Sequence, residues 1–410
     1  MIKLLLFALF LSKDTIITSL VPKTPASTST TLRLLNTATT PLKNIVLDWQ
    51  LQVNGAIIKK GKTPIPSLTP KKPILVRLPL HLPDDTTGES FLQLRYRSTT
   101  TLLAEQQILL NPYRPCLTIA PAGEVTQSDD NDIFTIHSPS IRISFNRQTG
   151  WLVHYEIQGT DLLDDSFGLR SNFWWPGYND SASYATDSGW LAATREPHLQ
   201  LFSNTTSPEQ IIIRTEYTLP ATASLLHLSY TINANGEMLI TQEVEPDTTQ
   251  PPSRQWPMPC FGMQWFLPSG YDSITAYGPN GIFHDRPPIT AASDPDARAT
   301  ATHTGIRWWT IADKKGNGLQ FIADTPLLNE SAIYNAPTTR PQIQISIDRP
   351  AQPSPSASSM SSPSSSPSAS STPYPPLTPA SLSKPTAPLT PMGNLRYTYK
   401  VKPLVSSTHL

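Results

Sequence analysis

IVLDWQLQVNG, residues 45–55, decides the fold class. Ile45, Leu47, Trp49, Leu51 and Val53 recur at every second position, with Asp48, Gln50 and Gln52 between them. Successive side chains of a strand point to opposite faces, so this spacing puts one apolar face against a core and leaves a polar face in water. Asn54-Gly55 follows at once. Both central residues of a type I′ turn need positive φ, which Asn and Gly tolerate, so the stretch reads as the first arm of a hairpin with Trp49 in the core.

Outward from it, LRLLN (32–36), ILVRLPL (74–80), SFLQLRYRS (90–98) and LLAEQQILL (102–110) are further short β-rich runs. About seven strands in about a hundred residues, one with a central Trp, predict an immunoglobulin-like sandwich over residues 31–114, behind an N-terminal tail of residues 1–30. Residues 115–132, with Pro, Gly and an Asp-Asn cluster, read as a linker. From Ile133 the runs resume: IRISFN (141–146), WLVHYEIQG (151–159), IIIRTEYTL (211–219), LLHLSYTIN (225–233), MLITQEVEP (238–246), FGMQWFLP (261–268), IRWWTIAD (306–313) and IQISID (343–348) are among them. Turn signals at 147–150, Asn235-Gly236 and Asn317-Gly318 separate them, and no run has helical period over three turns. The fold class is all-β, with a second, large antiparallel sandwich over residues 133–410. Residues 350–391 are almost wholly Pro, Ser, Ala and Thr; so few large apolar groups cannot offset ordering entropy, and disorder is expected there. LRYTYKV (395–401) then alternates again, as a last strand returning to the second sheet.

The 31 basic and 31 acidic side chains cancel, which excludes the electrostatic footprint of a nucleic-acid or anionic-membrane partner. Cys116 and Cys260 are too few for a disulfide framework and too far apart for a metal knuckle, and both read as buried thiols. Residues 2–12, IKLLLFALFLS, are apolar but too short to span a bilayer. They fit a secretory signal without an A-x-A cleavage site, or apolar sequence read ahead of a true start. The first implies a periplasmic or secreted protein and the second allows a cytoplasmic one.

IRISFNRQTGWLVHYEIQGTDLL (141–163), RSNFW (170–174), MPCFGMQWFLPSGYDSITAYG (258–278), GIRWWTIADKKGNGLQFIAD (305–324), IQISID (343–348) and LRYTYKVKPL (395–404) occur in that order. Together they resemble the small-chain, or fifth, domain of family-two β-galactosidases. LRLLNTATTPLKNIVLDWQLQVNGAIIKKG (32–61) resembles the sandwich domain that precedes it in that family. The resemblance implies a supersandwich of the galactose-mutarotase-like type for the second domain. It also implies that the catalytic acid, the nucleophile and the magnesium and sodium sites belong to a (β/α)₈ barrel. No alternating strand-helix pattern of roughly 250 residues is present to build one, so no cofactor is expected on this chain.

The implied role is therefore the C-terminal part or small subunit of a β-galactosidase, hydrolysing terminal β-galactosides such as lactose beside a large subunit or barrel domain that shares its cleft. A stand-alone carbohydrate-binding sandwich without hydrolase activity is the alternative. A retaining glycosidase needs two carboxyl groups about 5–5.5 Å apart, and Glu156, Glu216, Glu243 and Glu245 in strand-like runs read as solvated positions rather than such a pair. The aromatics Phe173, Trp174, Trp175, Tyr178 and Trp190 could stack on a pyranose ring; Phe173 and Trp174 read as core, while Pro176-Gly177 places Trp175 and Tyr178 in a turn. Of the family's active-site loops, WPGYNDS (175–181) keeps Asp180, and GPNGIFHDR (278–286) keeps Asp285 and Arg286. The Gly-Gly-Asp-Asp-Ser-Trp motif expected after QISIDRPAQ (344–352) gives way to the Ser/Pro tract. Carbohydrate-contact candidates are Trp175, Tyr178, Asp180, Asp285 and Arg286. The histidines, His137, His154, His227, His284 and His303 among them, show no metal-ligand spacing.

Overall fold

Asn54 and Gly55 take φ of 48° and 84°, and Val53 faces Ala56 across them, so the turn forms as its residues require. The computed structural model describes residues 15–21, 29–81, 88–98, 101–163, 168–173, 189–246, 258, 261–268, 270–278, 281–285, 300–324, 328–335, 342–349 and 395–405. Two compact units divide the chain: residues 1–114 with 277–282, and residues 115–276 with 283–410.

The first unit contains β1 (Ile16–Leu20), β2 (Thr30–Asn36), β3 (Ile45–Val53), β4 (Ala56–Ile65), β5 (Ile74–Leu78), β6 (Ser90–Ser98) and β7 (Thr101–Asn111). They make a three-stranded sheet, β1-β2-β5, and a four-stranded sheet, β4-β3-β6-β7. Leu32 and Leu34 of one and Leu47, Trp49, Leu92 and Leu94 of the other share one buried cluster, which defines a sandwich. Trp49, 2% exposed, faces Gly61 on β4, where an added Cβ would lie 2.4 Å from the indole. A residue with no side chain thus makes room for the largest one, and Trp49 Nε1 donates to Thr63 Oγ1 at 3.1 Å. The Tyr96 and Thr18 hydroxyls meet 2.6 Å apart, which satisfies a phenol that burial pushes above its ordinary pKa. β1 lies inside the stretch read as a tail: Ile16 is fully buried and Ile16–Leu20 pairs with Asn36–Leu32. Two buried positions in five residues leave too little periodicity to announce a strand.

The second unit begins with β8 (Thr126–Asp129), β9 (Ile133–His137), β10 (Ile141–Asn146), β11 (Leu152–Ile157), β12 (Thr160–Asp161) and β13 (Leu169–Asn172). Helix α1 (Trp190–Arg195) follows, then β14 (His198–Thr206), β15 (Gln210–Leu219), β16 (Ser224–Asn233), β17 (Met238–Pro246), β18 (Phe261–Pro268) and β19 (Ser273–Gly278). The last strands are β20 (Gly281–Asp285), β21 (Thr300–Ile306), β22 (Trp308–Ala312), β23 (Gly318–Ala323), β24 (Leu328–Asn335), β25 (Gln342–Arg349) and β26 (Leu395–Leu404). Sheets β12-β11-β10-β9-β8 and β13-β18-β25-β24-β21 have five strands each, and a third, β14-β15-β16-β17-β26-β23-β22-β19-β20, has nine. One continuous core runs through all three. The last strand enters the middle of the nine-stranded sheet between β17 and β23, because Tyr397, Tyr399 and Val401 offer the alternating buried face a central strand needs.

Two readings need correction here. The stretch read as a linker carries β8, an edge strand paired with β9, and a buried Val125; its exposed TQSD pattern hid it. Cys116 is exposed, not buried: it alternates outward in an extended segment, with Sγ 3.4 Å from Thr118 Oγ1. Cys260 and residues 350–391 lie outside the described residues. Among the described residues no helix is long and apolar enough to cross a membrane.

Candidate functional site

RSNF, residues 170–173, brings the chain to the predicted sugar-contact segment. β13 pairs with β18, setting Arg170 opposite Gln264 and Ser171 opposite Met263. Phe173 is fully buried, stacked on Phe261 at 6.4 Å and tilted against Trp190 at 5.6 Å between ring centroids. Its backbone N–H donates to Thr194 Oγ1 (3.0 Å), which donates to the Trp190 carbonyl (3.0 Å). The core reading of Phe173 therefore holds. Trp190, grouped with the sugar-contact aromatics, is 2% exposed and belongs to the core as well, because α1 turns its indole onto Phe173. Between these anchors, residues 174–188 lie outside the described residues, and with them Trp174, Trp175, Tyr178 and Asp180. Asp285 closes β20, but its side chain and all of Arg286 also lie outside them.

What is described beside that segment is a buried polar seam. Burial holds the half-buried Arg170 guanidinium below its ordinary pKa, with Tyr217 close enough to oppose the shift. Tyr217 stacks on Trp151 at 4.7 Å and 16°, and burial pushes its phenol above the ordinary value. Gly150, with φ of 73°, ends the Asn146–Gly150 turn; a Cβ there would lie 2.4 Å from Tyr217 Oη, so the glycine serves both the turn and the phenol. Ser171 Oγ donates to Gln242 Oε1 at 3.4 Å. Tyr230 Oη and Gln242 Nε2 are buried without a hydrogen-bond partner among the described residues, and the buried Tyr217 and Thr215 hydroxyls lie close to each other on β15. Sequence reasoning missed this seam: its members are in phase with the buried apolar residues of their strands, so periodicity turns them inward without showing that they share one space.

The seam offers hydroxyls, an amide and a guanidinium, which can hold polar groups but cannot supply an acid-nucleophile pair. The glutamates face the other way. Glu156 is held by Arg142 at 2.6 Å, while Glu216 and Glu245 lie 3.7 and 3.8 Å from the two nitrogens of His227 on the outer face of the nine-stranded sheet. Glu243 sits opposite His227 and Arg396 in the same sheet. The side chains of Glu216 and Glu245 are 48% and 43% exposed, in water rather than in a closed site. His154 and Asp161 are 2.6 Å apart, but the hydroxyl of Ser144, opposite His154, lies against Thr135 Oγ1 at 3.1 Å. Among the described residues no three His, Cys, Asp or Glu side chains are grouped to hold a metal ion.

Residues 137–287 match the family described as β-galactosidase small chain. A β-galactosidase from Priestia megaterium (strain DSM 319 / IMG 1521) is 23% identical over 318 residues, 70% of this chain and 30% of that protein. The chain carries a β-galactosidase small-chain region. That region takes in β10 to β20, Arg170, the seam residues and the segment of Trp175 and Tyr178. The chain spans only about 30% of the length of the curated relative it matches. Among solved structures, a TPR-domain containing protein from Parabacteroides distasonis ATCC 8503 aligns over 97% of this chain and 59% of its own, at 9% identity and a TM-score of 0.37. An α-galactosidase from Lactobacillus brevis aligns over 69% of this chain and 39% of its own, at 8% identity and a TM-score of 0.34.

Proposed function

We propose that this chain is the C-terminal part of a β-galactosidase, acting in the hydrolysis of terminal β-galactosides such as lactose by walling one side of a cleft. The other side, with the acid and the nucleophile, is supplied by a (β/α)₈ barrel on polypeptide outside residues 1–410. The small-chain match across residues 137–287 carries this reading. The solvent-facing glutamates of the nine-stranded sheet support its division of labour, since they sit where a buried acid cannot be built. Under it the second unit is a mutarotase-like supersandwich, and Trp175, Tyr178, Asp180, Asp285 and Arg286 face the shared cleft. Trp175 and Tyr178 would stack on the sugar, and the charged side chains would take its hydroxyls.

The test is co-expression of this chain with a β-galactosidase barrel chain. The complex is expected to co-purify and to hydrolyse o-nitrophenyl β-galactoside, whereas this chain alone does not. Trp175→Ala should raise KM more than it lowers kcat, because stacking contributes in ground state and transition state alike. Turnover by the purified chain alone, abolished by one Glu or Asp replacement, would overturn the reading.

A further inference from the structure

The outer face of the four-stranded sheet in the first unit is hollowed into a depression of about 440 Å³, within the range of small-ligand sites. Cross-strand register builds it. Lys62, Asp48, Arg95 and Glu105 form one row across β4, β3, β6 and β7, and Lys60, Gln50 and Gln93 form the next. The charges do not cancel. Asp48 serves two cations, Lys62 at 3.6 Å and Arg97 at 3.3 Å, while Glu105 holds Arg95 at 2.7 Å. Lys60, on the same rim, has no acidic partner among the described residues. A chain whose formal charges balance overall thus concentrates positive charge in one concavity.

Asp48 Oδ1 is buried beside Lys62 Nζ at 3.6 Å, beyond hydrogen-bond distance, and the Gln50 amide next to it makes no hydrogen bond among the described residues. Here a half-buried acceptor and an amide lie between cations, the arrangement that takes sugar hydroxyls in the middle and an anionic group at the rim. Among the described residues the aromatic side chain that lines the depression is Trp49, buried beneath it, so stacking on these residues does not carry a neutral sugar there.

We propose that this face binds an acidic oligosaccharide, with one uronate carboxylate on Lys60, another on Arg97 at the opposite corner, and the hydroxyls between them on Asp48 and Gln50. The proposal stands apart from the β-galactosidase reading, since it uses the first unit alone. The experiment is isothermal titration of the full chain with trigalacturonate and with neutral galactotriose. Trigalacturonate is expected to bind with Kd below about 1 mM, at least about tenfold tighter than the neutral trisaccharide, and more weakly as salt rises. Lys60→Glu and Arg97→Glu should each weaken it at least about fivefold. Lys72→Glu, elsewhere on the unit, and Trp175→Ala should leave it unchanged, which separates this site from a sugar contact in the small-chain region. Lys60 is exposed, so its reversal remains informative if the Arg97 variant unfolds. No heat at about 1 mM trigalacturonate, equal affinity for the neutral sugar, indifference to Lys60→Glu, or equal affinity for a DNA 12-mer would each overturn the proposal.

Discussion

The two units treat buried hydroxyls in opposite ways. In the first, Tyr96 is fully buried and its hydroxyl meets Thr18 at 2.6 Å, so it costs the fold little. In the second, Tyr230 is as deeply buried, yet its hydroxyl has no hydrogen-bond partner among the described residues, and the same holds for Gln242 Nε2 nearby in the nine-stranded sheet. Tyr155, in the same unit, shows that this is local, since its hydroxyl donates to the Gly236 carbonyl at 2.6 Å. Buried polar atoms without partners cost free energy, so a fold keeps them where something other than stability is served. Here they lie in the small-chain region, with Gln242 against Ser171, the residue after Arg170.

The largest effect should come from cores that both units share as a principle. Trp49→Ala is expected to destabilise the first unit by about 3–5 kcal/mol in a urea titration, through lost burial and the cavity left against Gly61. In the second unit, Lys400→Met should cost about 3–5 kcal/mol, because it strands Glu237, now 2.7 Å from an ammonium only 10% exposed. Next comes the direct contrast of phenols. Tyr96→Phe should cost about 0.5–1.5 kcal/mol, whereas Tyr230→Phe should be neutral or stabilising, since it removes a hydroxyl that has no partner among the described residues. Equal losses in the two variants would show that the Tyr230 hydroxyl is satisfied after all. The smallest effect concerns Arg147, which holds the exposed Asp129 carboxyl below its ordinary range and lies over the Phe202 ring at 5.1 Å. A depressed carboxylate stabilises the fold above its unfolded pKa of about 4 and loses that contribution as pH falls through its lower folded value. The stability difference between the parent and Asp129→Asn should therefore shrink in acid, and also in high salt, as exposed pairs do.

Much of this fold was legible because its central strands carry a two-residue period. Ile45 to Val53, Ile211 to Leu219 and Leu395 to Val401 each announce a buried face, and the Asn54-Gly55 and Asn146–Gly150 turns announce the links between strands. Several strands not read from the sequence, Ile16–Leu20, Thr126–Asp129 and His198–Thr206 among them, stand at sheet edges, whereas Leu328–Asn335 lies inside its sheet. An edge strand is held by main-chain hydrogen bonds to one neighbour and needs little apolar pattern, so its sequence resembles a loop. Trp190 was assigned to the sugar-contact aromatics for a related reason: composition shows that a ring is large and apolar, but not which surface it covers.

Taken alone, the order of residues determined an all-β chain, the position of its turns and its kinship with the β-galactosidase small chain, since these depend on local periodicity and on motifs read along the chain. Only tertiary structure decided which polar side chains share a space. Asp48 with Lys62 and Arg97 on one sheet face, and Ser171 with Gln242 from strands 71 residues apart, are neighbours through strand register and sheet packing. Register is fixed by the buried faces of whole sheets, a cooperative property that no single stretch of sequence contains.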